Sequence, residues 1–190
     1  MNITVYCGSK FGNQPHYRKD AEALGTWIGK NGHRLIYGGG WTGLMGAVSN
    51  AALKAGGEVY GIIPEFLKEI ELAHDGLTKT VTVKTMAERK TIMRDEGDFF
   101  IALPGGPGTI EEITEIISLR KLHRHNKPAV FYNSDHFYDS VRDLYREMVT
   151  QGFLDQATFD TIVFADNLEA IYREIEREIA KRSRQEMQLK

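Results

Sequence analysis

In LPGGPGTIEE, residues 103–112, Gly105, Gly106 and Gly108 stand around Pro107, between an apolar run and a pair of glutamates. Glycines serve where a turn needs unusual dihedrals or where a ligand must come close to the backbone. The periodicity that follows predicts a helix over 109–123, beginning at Thr109. The first amides of a helix lack intrahelical acceptors and carry the positive end of its dipole, so a phosphate fits there. Gly105, Gly106, Gly108 and Thr109 are therefore candidate phosphate-binding residues. Thr109 and Glu112 also match the T-x-x-E capping box, in which Glu112 bonds back to the Thr109 backbone. Ile110, Ile113, Ile116 and Ile117 form an apolar stripe, with Glu111 opposite it and Glu112 at its border. Glu112 reads either as a cap or as a carboxylate facing a cleft, and the pattern leaves both open.

A second group is MAERK, residues 86–90. Thr85 and Glu88 make another capping box, so a helix over 86–97 carries Arg89 and Lys90 close to its start. Cations are disfavoured at that end. They form either a solvated face or a pair facing a ligand anion. In GGGWTG, residues 38–43, Gly38, Gly40 and Gly43 match the dinucleotide pattern G-x-G-x-x-G. Glu58 stands at the start of the next strand, the wrong end for holding a ribose. A glycine loop near an anion at a helix start is the better reading, with Gly39 and Gly40 as candidate contacts. The alternative is a tight turn with close helix packing. Ser9 is a phosphate contact or a turn residue, and Cys7 reads as a small buried side chain. His123 and His125 sit where a helix ends, and no histidine–carboxylate cluster has ligand spacing, so no metal site is expected.

These residues need a frame, and apolar β-branched runs alternate with amphipathic stretches along the whole chain. Strands are expected over 3–8, 34–40, 58–64, 79–85, 98–106 (running into the glycine turn), 128–133 and 161–166. Helices are expected over 17–32, 44–57, 86–97, 109–123, 137–152 and 168–182, with 65–77 irregular. Near-continuous apolar strands in βαβα order predict an α/β fold, a parallel sheet with helices on both faces. Ligands bind such sheets outside the carboxyl ends of the strands, where CGS, GGG and LPGG fall. One domain over 1–182 and a polar tail over 183–190 are expected of the 190 residues. A net charge of −2 argues against nucleic acid or an anionic membrane as the main partner. The single cysteine excludes an internal disulfide and fits a reducing, cytoplasmic compartment. No apolar run approaches the length that spans a membrane.

Together the two motifs resemble those of the LONELY GUY (LOG) family. PGGPGTIEE matches its P-G-G-x-G-T-x-x-E motif, and MAERK is similar to its M-x-x-R-K segment. VYCGS and YGGGWTGLMGA look like its first strand and second glycine loop, and the resemblance runs from about Ile3 to about Ala165. It implies a Rossmann-like doubly wound sheet and a homodimer. It also implies hydrolysis of cytokinin riboside 5′-monophosphates, N6-modified forms of AMP, to free base and ribose 5-phosphate, with no cofactor. The family's catalytic arginine and glutamate fall on Arg89 and Glu112. Its substrate-binding positions fall on Lys90, on the segment from Gly106 to Glu112 (Glu111 included), and on Glu71 and Ser118. Ala87 stands where plant members often have histidine, and Pro107 where tyrosine is common. Both bear on base preference or loop stiffness, and neither removes the catalytic pair. Many bacterial relatives carry the older label lysine decarboxylase, yet no pattern here suggests a pyridoxal phosphate site. A hydrolase of plain AMP and a non-catalytic nucleotide sensor are the rival expectations.

Overall fold

The computed structural model describes residues 1–68 and 73–188, apart from the side chain of Glu186. Seven strands form one sheet: β1 (Asn2–Tyr6), β2 (Arg34–Tyr37), β3 (Glu58–Pro64), β4 (Lys79–Val83), β5 (Phe99–Ala102), β6 (Ala129–Tyr132) and β7 (Ile162–Ala165). Their order is β4-β3-β2-β1-β5-β6-β7, and every neighbouring pair is parallel. The chain winds outward from β1 to β4, then returns to place β5 beside β1. The order therefore reverses between β1 and β5, which opens a crevice at their carboxyl ends. This is the doubly wound fold that the alternation predicts.

Side-chain alternation along the strands divides the core in two. Ile3, Val5, Leu35, Tyr37, Phe99 and Ile101 face α1 (Pro15–Lys30), α2 (Gly43–Lys54) and α7 (Leu168–Gln188). Tyr6, Ile36, Ile62, Phe100, Ala102 and Phe131 face α3 (Met86–Glu96), α4 (Pro107–Lys121) and α5 (Asp139–Thr150). Both faces are covered, which is why the strands read as apolar runs rather than as an alternating pattern.

Several boundaries differ from the expected ones. β2 stops at Tyr37, so Gly38–Gly40 belong to the loop. α6 (Gln156–Phe159) and the 3-10 turns at Glu65–Leu67 and Ser134–His136 carry too little periodicity to be foreseen. α7 continues to Gln188, so residues 183–188 of the expected polar tail are helical. Arg182 anchors it there, with Nη1 2.7 Å from Asp98 Oδ1 and Nη2 donating to the Asp98 carbonyl at 3.0 Å. Among the described residues, no helix is long and apolar enough to cross a membrane.

Candidate active site

The crevice beside the switch point deepens into a cleft of about 400 Å³. Its walls come from the loop after β1 (Cys7, Gly8, Ser9), Gly38, the start of α3 (Met86, Arg89) and the start of α4 (Gly106–Thr109, Glu111, Glu112).

The α4 wall is built by glycine and proline in different ways. Leu103 N–H donates to Tyr6 O at 2.9 Å and Gly8 N–H to Pro104 O at 3.1 Å, tying the β5 loop to the β1 loop. A Cβ on Gly105 would lie 2.2 Å from Thr109 Oγ1 and 2.9 Å from Gly8 N, so close packing requires glycine there. Gly106 and Gly108 are another case. A Cβ on either would meet nothing within 4 Å, and neither has positive φ. Neither packing nor dihedral explains them, and what their missing side chains leave is open space over the helix start.

α4 begins at Pro107, two residues before the expected start, because proline suits the first helical position: its φ is preset and it has no N–H to satisfy. Gly106 is the N-cap and makes no side-chain cap. Thr109 is thus inside the first turn and 4% exposed, and the Thr109–Glu112 capping box does not form. The amides of Gly108 and Thr109 have no acceptor among the described residues and point out of the helix end. Glu112, one turn on and half-buried, lines the cleft instead of closing a box.

At α3 the expected cap is present. Thr85 Oγ1 accepts from Glu88 N–H at 3.1 Å, while Glu88 Oε2 accepts from Lys84 N–H at 2.8 Å. This start turns Arg89 inward, where it is 6% exposed. Its Nε donates to Ile62 O at 3.1 Å and its Nη2 to Gly38 O at 3.0 Å. A carbonyl on β3 and one just past the end of β2 thus set the guanidinium plane, and they offset the unfavourable helix start. A Cβ at Gly38 would lie 1.8 Å from Nη2, so this glycine makes room for the arginine and not for a dinucleotide.

Lys90 does not line the cleft. Its Nζ lies 2.7 Å from Glu111 Oε1 and 2.9 Å from Glu115 Oε2, stitching α3 to α4. The hydrogen bonds that it donates to Glu111 and then to Glu115 push its ammonium pKa up to about 12. This raised pKa makes the bridge's contribution complete below the usual lysine value and lost only as pH rises through about 12.

The other expected contacts divide. Ser9 is exposed on the cleft rim. Gly39 and Gly40 do not line the cleft: Gly39 O accepts from His74 N–H at 3.1 Å, and Gly40 bridges Ala73. Gly39 also has φ of +80°, so these two glycines hold the connection between β3 and β4. Glu58, at the outset of β3, is occupied by Arg34 at 2.6 Å. Ser118 is exposed and lies about 13 Å along α4 from Thr109, at about 1.5 Å per residue. Glu71 lies outside the described residues. Sequence reasoning missed Tyr6, Met45, Phe66, Leu67, Met86 and Met93, which give the cleft its apolar lining. Only Tyr6 had a signal, as a phenol just before Cys7-Gly8-Ser9.

The two open glycines make a prediction with opposite signs for fold and ligand. Gly108→Ala is expected to leave thermal stability unchanged or raise it by up to about 1 kcal/mol, because helical alanine is favoured over glycine. The same change is expected to weaken binding of a phosphate-bearing ligand, read by calorimetry with AMP. Lower stability with unchanged binding would mean that the glycine serves the fold.

Comparison with known proteins places this geometry in a family. The family model described as "Possible lysine decarboxylase" matches residues 45–175. The cytokinin riboside 5′-monophosphate phosphoribohydrolase of Rhodococcoides fascians is 41% identical over 169 residues, covering 88% of this chain and 85% of the relative. A probable enzyme of the same name from Oryza sativa subsp. japonica is 42% identical, covering 87% and 72%. One from Arabidopsis thaliana is 38% identical, covering 94% and 84%. Among solved structures, the molybdenum cofactor binding protein of Rippkaea orientalis superposes with a TM-score of 0.71 at 24% identity, over 94% of this chain and 96% of that one. The molybdenum cofactor carrier protein of Chlamydomonas reinhardtii gives 0.73 at 18%, over 94% and 98%. At those identities the two structures speak for the fold alone. On the sequence matches, which cover most of both chains, this protein belongs to the LONELY GUY family, the one whose model bears the description possible lysine decarboxylase.

Proposed function

We propose that this protein hydrolyses the N-glycosidic bond of nucleoside 5′-monophosphates of the cytokinin type, releasing the N6-modified adenine and ribose 5-phosphate. The observation that carries this reading is one cleft holding Glu112, Arg89 and the unfilled start of α4. The 5′-phosphate sits on the Gly108 and Thr109 amides, in the space over Gly106 and Gly108, with Ser9 at the rim. That anchor is remote from the bond that breaks and orients the nucleotide for it. As the bond from C1′ to the base nitrogen breaks, positive charge builds on the sugar. The Glu112 carboxylate, one turn from the phosphate, stabilises that charge and orients a water. The water oxygen bonds to C1′ and its proton passes to the departing base. Arg89 cannot donate a proton, because guanidinium stays charged in proteins. Its fixed positive charge orients the substrate and favours ionised Glu112. Lys90, held by two carboxylates, is a poor proton donor to the base. The apolar side chains of Met45, Phe66, Met86 and Met93 suit the flat base.

Decarboxylation of lysine is a poor fit. Pyridoxal phosphate needs a lysine amine for its aldehyde. Among the described residues, none of those that line this cleft is a lysine. A homodimer and a cytoplasmic location belong to the same proposal, the first by family resemblance and the second from the lone Cys7.

Incubation with AMP and with N6-isopentenyl-AMP, followed by chromatography, tests the reading. Free base and ribose 5-phosphate are expected from both, faster from the isopentenyl substrate. Release from AMP alone would make the protein a general nucleotide phosphoribohydrolase. Binding of either nucleotide without release would make it a sensor and overturn the assignment to Glu112.

A further inference from the structure

The glycine turn before α4 stands between two openings. Gly106 and Pro107 line the cleft, and they also line an apolar pocket of about 370 Å³ whose other walls include Tyr17, Leu44 and Phe137. Side-chain packing thus leaves the turn open toward both spaces, and what fixes its path lies at its base. There Leu103 N–H donates to Tyr6 O at 2.9 Å and Gly8 N–H to Pro104 O at 3.1 Å. Between these two bonds is the Leu103–Pro104 peptide, which has no N–H because proline lacks one. A hydrogen bond can hold the plane of that peptide only through the Leu103 carbonyl. The Tyr138 hydroxyl donates to it at 2.6 Å.

Tyr138 is itself firmly placed. It is fully buried, with its ring edge-on to Phe131 at a centroid distance of 4.9 Å. Its N–H donates to Asn133 Oδ1 at 2.6 Å, and Asn133 N–H reaches Ala165 O on β7 at 2.8 Å. The turn between Asn133 and Tyr138 keeps Asp135 at a φ of +50° and His136 at +61°. Two successive non-glycine residues in the left-handed region are strained, and such strain persists where the surroundings over-determine it, often beside functional sites. Here the strained turn delivers a phenol to one carbonyl at the base of the glycine turn. We propose that Tyr138 is a positioning residue for phosphate binding. Its hydroxyl fixes the Leu103–Pro104 peptide and so the path of the glycine turn, which aims the first amides of α4 at the 5′-phosphate. It is not among the residues that line the cleft. This rests on reading the start of α4 as a phosphate site.

Tyr138→Phe deletes only the hydroxyl and keeps the ring. Its melting temperature is expected to fall, because a buried carbonyl loses its donor. The Kd of ribose 5-phosphate, measured by calorimetry well below that melting temperature, is expected to rise about tenfold, the size of one weakened hydrogen bond to a charged group. A second substitution separates position from stability. His136→Gly suits the positive φ and is expected to restore the melting temperature of the Tyr138→Phe protein, while the Kd stays raised. An unchanged Kd in Tyr138→Phe would overturn the role. So would recovery of the Kd together with stability in the double variant, which would make the hydroxyl a matter of stability alone. If the wild-type protein binds ribose 5-phosphate but releases no base from AMP, the hydrolase reading falls and the Kd comparison still decides the role of Tyr138. A wild-type protein that does not bind ribose 5-phosphate would overturn this role together with the phosphate site.

Discussion

Replacing Glu112 by glutamine is expected to lower the rate of base release by about 10²–10⁴-fold while leaving the melting temperature in place. Glutamine has nearly the shape of glutamate but no charge to set against the developing cation on the sugar. It also satisfies a capping box as well as glutamate does. A role as helix cap therefore predicts no effect on either quantity, and the two readings separate cleanly. In the structure α4 starts at Pro107 and Thr109 lies inside its first turn. The cap reading has thus lost its geometry, and the charge of Glu112 faces the cleft. Single-turnover base release, followed beside a thermal melt, decides the matter. Activity near that of the wild type would remove Glu112 from the chemistry.

Arg89→Lys is expected to lose both activity and stability, although it keeps the charge. One planar guanidinium bonds to a carbonyl on β3 and to one in the loop after β2 through separate nitrogens. A lysine ammonium is a point charge on a flexible stem and cannot reproduce that fork. Leaving one of these buried carbonyls without its donor costs about 1–3 kcal/mol. For a chain of this size that lowers the melting temperature by about 2–4 °C per kcal/mol. The positive charge also leaves its fixed place in the cleft, so kcat/KM is expected to fall about 10²-fold or more. Gly38→Ala is expected to reproduce much of this without touching the arginine, since its Cβ would lie 1.8 Å from Nη2. If Arg89→Lys keeps full activity, charge alone suffices and the orientation set by the two carbonyls is irrelevant.

Much of this was legible in the sequence. The doubly wound sheet follows from hydrophobic period, because strands buried on both faces and helices with one apolar stripe leave different local patterns. The α3 cap was legible for the same reason, since Thr85 and Glu88 are neighbours on one turn. The pair Arg89 and Glu112 stood out through two motifs, and Gly8, Gly38, Gly106 and Gly108 lie at the sheet edge where the cleft opens. The start of α4 was misread, because Thr109 and Pro107 offer competing local signals and the chain takes the proline.

Tertiary structure alone decided what each of these groups touches. Arg89 meets acceptors 27 and 51 residues away, Lys90 meets a carboxylate 21 residues away, and Gly39 bonds His74 in the next connection. No period or spacing encodes such contacts. They arise when parallel strands bring distant loops to one edge of the sheet. The same convergence gave similar glycines different duties: Gly38 yields to a guanidinium, Gly105 to Thr109, and Gly106 and Gly108 to open space. It also placed Tyr6, an ordinary core residue by pattern, in the lining of the cleft, because side-chain direction at a strand's end matters only once the helices beside it are in place.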